Sequence, residues 1–177
     1  MPEPAAIACV SCIGRTSLAV TWRDGRCVCV ELAGWIASGG GALEPLKDRR
    51  LFAAARVEGN GARVTWGGEI AIEATHLWWI AAEQRAFSCG DVAAWQAELG
   101  LSNQEAAEFL GISLSAWNTY KAGTHPVPAP VAMVCRAALR DPILRQARYR
   151  PRTRGRPRRS ESEPLQPREA ARSSRTA

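Results

Sequence analysis

The chain has 177 residues, of which 46% are apolar, and carries a formal net charge of +6. That length can hold one medium-sized domain or two small ones. The chain shows no secretory signal at its start and no apolar run near 18 residues, which argues against an exported or membrane-spanning protein. We therefore expect a cytoplasmic protein without a membrane partner.

The first half of the chain predicts antiparallel strands joined by glycine turns. Residues 17–22 and 26–32 flank Asp24-Gly25, which favours a two-residue type I′ hairpin turn because both residues tolerate positive φ. The cross-strand pairs expected from this turn are Trp22 with Cys27 and Val20 with Cys29.

Further elements complete a small α+β domain over residues 1–85, with an antiparallel sheet of four or five strands and a covering helix. Their predicted ranges are a strand at about 7–13, a short irregular or helical crossing at 45–52, a second hairpin at 53–58 and 62–66 around Gly59-Asn60-Gly61, and a Trp-rich helix at 74–83.

This half resembles a small family of bacterial domains of unknown function, which occur alone or fused to a lambda-repressor-like domain. The residues that carry the resemblance are Leu18, Val20, Trp22, Asp24-Gly25, Pro45-Leu46, Asp48, Phe52, Val64, Trp66 and Leu77. Members are often encoded near small toxin-like proteins, so the resemblance implies an antitoxin or an autoregulator.

Six cysteines raise the question of a metal site or of disulfides. Cys9 and Cys12 lie three residues apart on a predicted strand and therefore point to opposite faces, whereas zinc needs four converging ligands. The predicted hairpin places Cys27 and Cys29 on the face of Val20, where they act as small apolar residues. We expect no bound metal and no structural disulfide.

The chain offers little that could support catalysis. His76 lies in the Trp-rich helix and His125 precedes a proline, and neither has a nucleophile close in sequence. No motif of a serine hydrolase, a P-loop, a zinc protease or a carboxylate pair is present. We expect neither an enzyme nor a cofactor.

The second half predicts a helical domain over residues 86–147, with its most informative segment at residues 101–123. Ser102 followed by Glu105 is a capping box, so a helix is expected to start at Asn103 and to end at Gly111, which can take positive φ. Ser113 then caps a second helix, expected at residues 114–121. The pattern is typical of a helix-turn-helix.

The second helix would bury Trp117 and Tyr120 and expose its other face. The segment is similar to the lambda-repressor and Cro type of helix-turn-helix, the XRE-like family, in the register Leu-Ser-x-x-x-x-Ala-x-x-x-Gly-Ile-Ser, over about residues 91–140. The resemblance implies that residues at the start of the second helix read DNA bases, namely Leu114, Ser115, Asn118 and Thr119. Backbone contacts would fall to Asn103, Gln104 and Lys121. The family places a further helix before the motif, here residues 91–99 with Ser88 and Asp91 as its cap.

Charge favours a different interpretation of the same helices. Residues 86–147 hold four basic and five acidic side chains, a net charge of −1, which does not favour binding to the phosphate backbone of DNA. Leu114 also stands where the family often has a polar or basic residue, and it could only make an apolar contact, for example with a thymine methyl group. The alternative is a helical hairpin that serves packing, dimerisation or a protein partner.

The basic excess lies in a tail over residues 148–177, which holds ten arginines and three glutamates. With few large apolar side chains, this segment is expected to be disordered in isolation. Its centre resembles the core of an AT-hook, in which a glycine lets the backbone sit deep in an A·T minor groove. The residues concerned are Arg152, Arg154, Gly155, Arg156, Pro157, Arg158 and Arg159. A generic phosphate-binding tail and a merely solvating tail remain alternatives.

The sequence thus predicts a double-stranded DNA-binding transcriptional regulator, a candidate autoregulating antitoxin and a candidate homodimer. The alternative from another class is a protein-binding module that neutralises a toxin and has weak or no contact with DNA.

Overall fold

The computed structural model describes residues 6–152, and these form a mixed α+β structure with two small antiparallel sheets and eight α-helices. The strands are β1 (Ile7–Cys12), β2 (Ser17–Trp22), β3 (Cys27–Glu31), β4 (Arg56–Glu58), β5 (Arg63–Thr65) and β6 (Ala71–Glu73). The helices are α1 (Ala33–Ser38), α2 (Arg49–Phe52), α3 (Ala74–Gln84), α4 (Cys89–Leu99), α5 (Asn103–Leu110), α6 (Leu114–Ala122), α7 (Ala129–Arg140) and α8 (Pro142–Arg148). No helix within this range combines the length and the apolar character needed to cross a membrane.

The first sheet has the order β1-β2-β3, and the register of its β2–β3 hairpin differs from the prediction by one residue. The amide of Trp22 donates to the carbonyl of Arg26 (2.8 Å) and the amide of Gly25 donates to the carbonyl of Trp22 (3.0 Å). Of the turn residues only Gly25 has positive φ (85°), so the loop is three residues long and not a two-residue type I′ turn. The pairing is therefore Thr21 with Cys27 and Ala19 with Cys29.

This shift reverses the predicted environment of two cysteines. Because side chains alternate along a strand, Val28 and Val30 take the buried face and Cys27 and Cys29 are exposed. The prediction that these two cysteines pack with Val20 as apolar residues is wrong. Cys9 and Cys12 do lie on opposite faces, with Cys9 exposed and Cys12 half-buried.

A second sheet, of order β4-β5-β6, replaces the single larger sheet that the sequence predicts. The predicted hairpin around Gly59-Asn60-Gly61 is present as β4 and β5. The sequence does not predict strand β6, because it is three residues long and follows Gly67-Gly68, which leaves too little alternation to detect.

Both sheets and α3 enclose one apolar core. Its members are fully or almost fully buried: Ile7, Leu18, Val20, Trp22, Val30, Leu32, Ile36, Leu46, Phe52, Val64, Trp66, Ile72, Ala74 and Leu77. The crossing over residues 45–52 contains α2, which Asp48 caps by accepting from the amide of Arg50. The indole of Trp66 donates to the carbonyl of Phe52 (2.9 Å), which fixes this crossing against β5.

Helices α4 to α8 build a second core around Trp95, Phe109 and Trp117, whose rings pack with centroids 5.7 Å apart in both pairs with Trp95. Helix α4 begins at Cys89, two residues before its predicted start, because Asp91 occupies the third helical position of a capping box with Ser88. Helix α7 ends at Arg140, because Asp141 precedes a proline and is pushed out of the helical region, and Pro142 begins α8.

Arginines join the two cores. The guanidinium of Arg136 on α7 donates to the carbonyls of Glu83 (3.1 Å) and Arg85 (2.6 Å), and Arg140 pairs with the Glu83 carboxylate (2.7 Å). Arg85 also makes a bidentate pair with Asp91, at 2.8 and 2.9 Å. The end of α3 is thus bound to both α4 and α7.

Candidate nucleic-acid interface

Helices α5 and α6 form the predicted pair of short helices around a glycine turn. Ser102 and Glu105 make the predicted capping box, and Gly111 ends α5 with φ of 67°. The hydroxyl of Ser113 accepts from the amide of Ala116 (3.1 Å) and starts α6 at Leu114. These elements follow the sequence closely because their determinants, caps and a left-handed glycine, are local.

The solvent-facing side of α6 carries three of the four predicted base-reading residues. Leu114, Ser115 and Asn118 are exposed, with Leu114 at 39% of its full exposure. Thr119 is half-buried, and its hydroxyl donates to the carbonyl of Ala116 (2.7 Å). Thr119 is therefore less available for an outside contact than its neighbours on this face.

A polar network behind this face connects α4, α5 and α6. The Asn103 Oδ1 atom accepts from Gln96 Nε2 (2.9 Å) and Lys121 Nζ (3.1 Å), and lies 3.4 Å from the indole nitrogen of Trp117. Lys121 Nζ also donates to Gln96 Oε1 (2.7 Å). No local spacing in the sequence marks Gln96, which is almost fully buried, because its partners in this network lie 7 and 25 residues away.

The network extends outward to the predicted reading residue. Asn103 Nδ2 lies 3.5 Å from Asn118 Oδ1, so one of the residues predicted to contact the DNA backbone and one of those predicted to read bases are neighbours. Gln104 instead bonds within its own helix, donating to Glu108 Oε1 (3.0 Å). Asn103 and Asn118 together present amide groups at the α5–α6 seam, where they can donate and accept hydrogen bonds.

The carboxylate of Glu105 ties the root of the basic tail to α5. It accepts from the hydroxyl and amide of Ser102 (2.6 and 2.9 Å), from the Tyr149 hydroxyl (3.1 Å) and from the Arg152 amide (3.3 Å). These bonds, led by the Ser102 hydroxyl, lower the pKa of Glu105 to about 2. Tyr149 also packs against the second core.

The sequence predicts a tail that starts at Arg148, yet Arg148 is the last residue of α8, and residues 149–152 lie against α5. The remaining tail residues singled out in the sequence lie outside the described residues: Arg154, Gly155, Arg156, Pro157, Arg158 and Arg159.

The other polar candidates do not assemble into a site. Between residues 6 and 152, no three His, Cys, Asp or Glu side chains come together in a way that could hold a metal ion. Cys135 is buried, and desolvation raises the pKa of its thiol to about 12, so it behaves as an apolar core residue. His76 is exposed against the ring of Trp35, and His125 is exposed.

No family model and no curated protein matches the chain. A solved structure that matches, that of a presumed DNA-binding protein from Nitrosomonas europaea, is 25% identical in sequence and gives a TM-score of 0.44. The match covers 86% of this chain and 98% of that chain. At this TM-score the likeness does not define the function, which is inferred from the site itself.

Proposed function

We propose that the chain is a regulator that binds double-stranded DNA and places α6 in the major groove. The observation that carries this proposal is the exposed face of α6, which starts at a capped helix end and presents Ser115 and Asn118 beside Asn103. The major groove admits a helix and displays a distinct pattern of donors and acceptors for each base pair.

In this arrangement Asn118 reads a base and Asn103 supports it. An asparagine amide can pair with N6 and N7 of adenine, and the bond between Asn103 and Asn118 would orient that amide before DNA arrives. Ser115 would add a hydrogen bond, and Leu114 an apolar contact with a thymine methyl group. Lys121 and Gln104 would contact the phosphate backbone next to this face.

The basic tail would supply the affinity that the helical part lacks. The bonds of Tyr149 and Arg152 to Glu105 start the tail beside the N-terminus of α5, next to Asn103. Arginines that leave from this point can reach the phosphates or the minor groove flanking the bound site. Binding by such a tail is strongly weakened by salt.

The deciding experiment combines one side-chain change with one base change. Fluorescence anisotropy of the full chain on DNA from its own upstream region would first map the adenine contacts. Asn118→Ala should reduce discrimination at one adenine by about 1–3 kcal/mol. Replacing that adenine by 7-deazaadenine, which lacks the N7 acceptor, should weaken the unsubstituted protein but not the variant. Equal losses for both proteins would remove Asn118 from base reading.

A second candidate function is a protein-binding module, such as a toxin-neutralising antitoxin or a homodimer subunit. The observation in its favour is an apolar patch on α7 and α8, where Met133 and Val134 are 62% and 37% exposed and line one groove with Leu144. Met133→Glu should abolish association at this patch, as sedimentation velocity would show. If the chain binds DNA as a monomer, the same variant should leave DNA binding unchanged. Loss of all DNA binding would instead make dimerisation a requirement.

A further inference from the structure

Strand β3 is an edge strand with unused backbone hydrogen-bonding groups. The Arg26 carbonyl accepts from Trp22 of β2, and the Leu32 amide donates to Thr16, the residue before β2. Because the backbone groups of successive residues on a strand point to opposite sides, Val28 and Val30 also bond to β2. The amides and carbonyls of Cys27, Cys29 and Glu31 therefore point the other way. Among the described residues, only the groups of Glu31 find a partner on that side.

That partner shows what the edge can bind. The side-chain amide of Gln84 on α3 accepts from the Glu31 amide (2.8 Å) and donates to the Glu31 carbonyl (2.6 Å). These are the two bonds that an added strand would make with one residue of the edge. The corresponding amide and carbonyl groups of Cys29 and Cys27, two and four residues before Glu31 on β3, are open to such a strand.

A groove lies along this open edge, between β3 and α3. Its cavity volume is about 550 Å³. The lining residues from the two elements are Arg26, Val28, Cys29, Trp78, Ala81 and Ala82, with Gln84 and Arg85 at the α3 end. The small side chains of the two alanines leave room for an occupant. Trp78 forms an aromatic wall, and its ring packs edge-on against that of Trp22 with the ring centroids 5.2 Å apart.

The charges of the groove select the occupant. Arg26 and Arg85 line it, and no carboxylate among the described residues does. The guanidinium of Arg26 lies 4.4 Å from the centre of the Trp78 ring, which holds it over the groove. Both arginines also pair with an aspartate outside the lining, Asp24 or Asp91, and guanidinium groups can bind a second carboxylate through their remaining N–H groups.

We propose that this groove binds an extended acidic segment of a partner protein, which adds a strand to β3. Its backbone would pair with Cys27 and Cys29, alternate apolar side chains would pack on Trp78 and Ala81, and its carboxylates would approach Arg26 and Arg85. This site is separate from the proposed DNA-reading face of α6.

The test uses the full chain and two synthetic eight-residue peptides, one of alternating valine and glutamate and one of alternating valine and lysine. We expect the acidic peptide to bind and to slow hydrogen exchange at the amides of Cys27 and Cys29, as NMR would show. Cys29→Pro removes an outward amide without removing a β2–β3 bond, and should weaken binding at least about fivefold. Val28→Pro, its matched control, removes an inward bond and should disrupt the sheet.

A second pair of variants tests the groove without touching the strand. Ala82→Glu should weaken the acidic peptide and Ala82→Lys should strengthen it, since both place a charge on the α3 wall. Equal binding of both peptides, or binding that ignores Cys29→Pro and the Ala82 variants, would overturn the proposal. So would absence of binding at millimolar peptide, or concentration-dependent protection of the same amides in the free protein, which would assign the edge to a second copy of the chain.

Discussion

Trp117 and Asn118 are adjacent on α6 and should respond to mutation in opposite ways. Trp117 is fully buried between α4 and α5, with its ring against Trp95, whereas Asn118 is exposed. Trp117→Ala should cost about 3–5 kcal/mol of folding free energy, as removal of a core aromatic does, and largely unfold the helical part. Asn118→Ala should leave the urea midpoint almost unchanged. The opposite result would mean that α6 is rotated about its axis from the orientation described above.

Glu105 should make the helical part sensitive to acid. Its pKa falls from 4.5 to about 2 on folding, so its contribution to stability is complete above pH 4.5 and is lost as pH falls toward 2. Glu105→Gln should therefore flatten the pH dependence of the urea midpoint within this window. Glu98→Gln, which changes an exposed glutamate on α4, serves as the control. An unaltered pH profile in Glu105→Gln would show that the Ser102 and Tyr149 bonds do not persist in solution.

At the scale of elements, two turn glycines should differ in their tolerance of a side chain. Gly111, between α5 and α6, has positive φ, but a Cβ there would meet nothing within 4 Å, so Gly111→Ala should cost only backbone strain, about 1 kcal/mol. Gly61 has φ of 92°, and a Cβ there would collide with the backbone of Ile7 on β1.

Gly61→Ala should consequently destabilise the fold clearly more than Gly111→Ala, because the clash involves backbone atoms that cannot rotate away. Denaturant unfolding followed by tryptophan fluorescence would compare the two variants. Equal destabilisation would indicate that β1 and the turn at Gly61 can separate at little cost.

The contrast between these elements explains how much of the structure the sequence could predict. The caps of α4, α5 and α6 came out correctly because each depends on residues three positions apart. The register of β3 did not, because one additional loop residue, Arg23, changes which side chains of β3 face the core. The exposure of Leu114 and Asn118 followed from helical spacing, whereas the network around Gln96 depends on three helices packing together.

For the whole molecule, the tail should control the salt dependence of DNA binding. Truncation after Arg152 removes seven arginines while keeping the bonds of Tyr149 and Arg152 to Glu105. The slope of log affinity against log salt should fall by roughly 0.9 for each phosphate that the tail no longer neutralises, and sequence preference should survive. An unchanged slope would exclude the tail from the complex.

A single glycine distinguishes the two DNA-binding interpretations of the tail. Gly155→Ala should weaken binding selectively on A·T-rich flanking DNA if the segment inserts into a narrow minor groove, since the added methyl group hinders deep entry. A tail that only neutralises phosphates should bind equally well with alanine. Anisotropy on paired A·T-rich and G·C-rich duplexes would separate these outcomes.

Arg85 belongs at once to the groove beside β3 and to the helices that carry the α6 face. Arg85 lines the groove, its side chain pairs with the cap residue Asp91 of α4, and its carbonyl accepts from Arg136 of α7. A segment that draws the guanidinium into the groove must compete with Asp91 for it. We expect occupancy of the groove and occupancy of the proposed DNA site to share a coupling free energy, because Asp91 caps α4 and α4 packs against α6 through Trp95 and Trp117. The factor by which the acidic segment changes the affinity for DNA must equal the factor by which DNA changes the affinity for the segment. Arg85→Lys cannot form the bidentate pair with Asp91 and should therefore reduce both factors together.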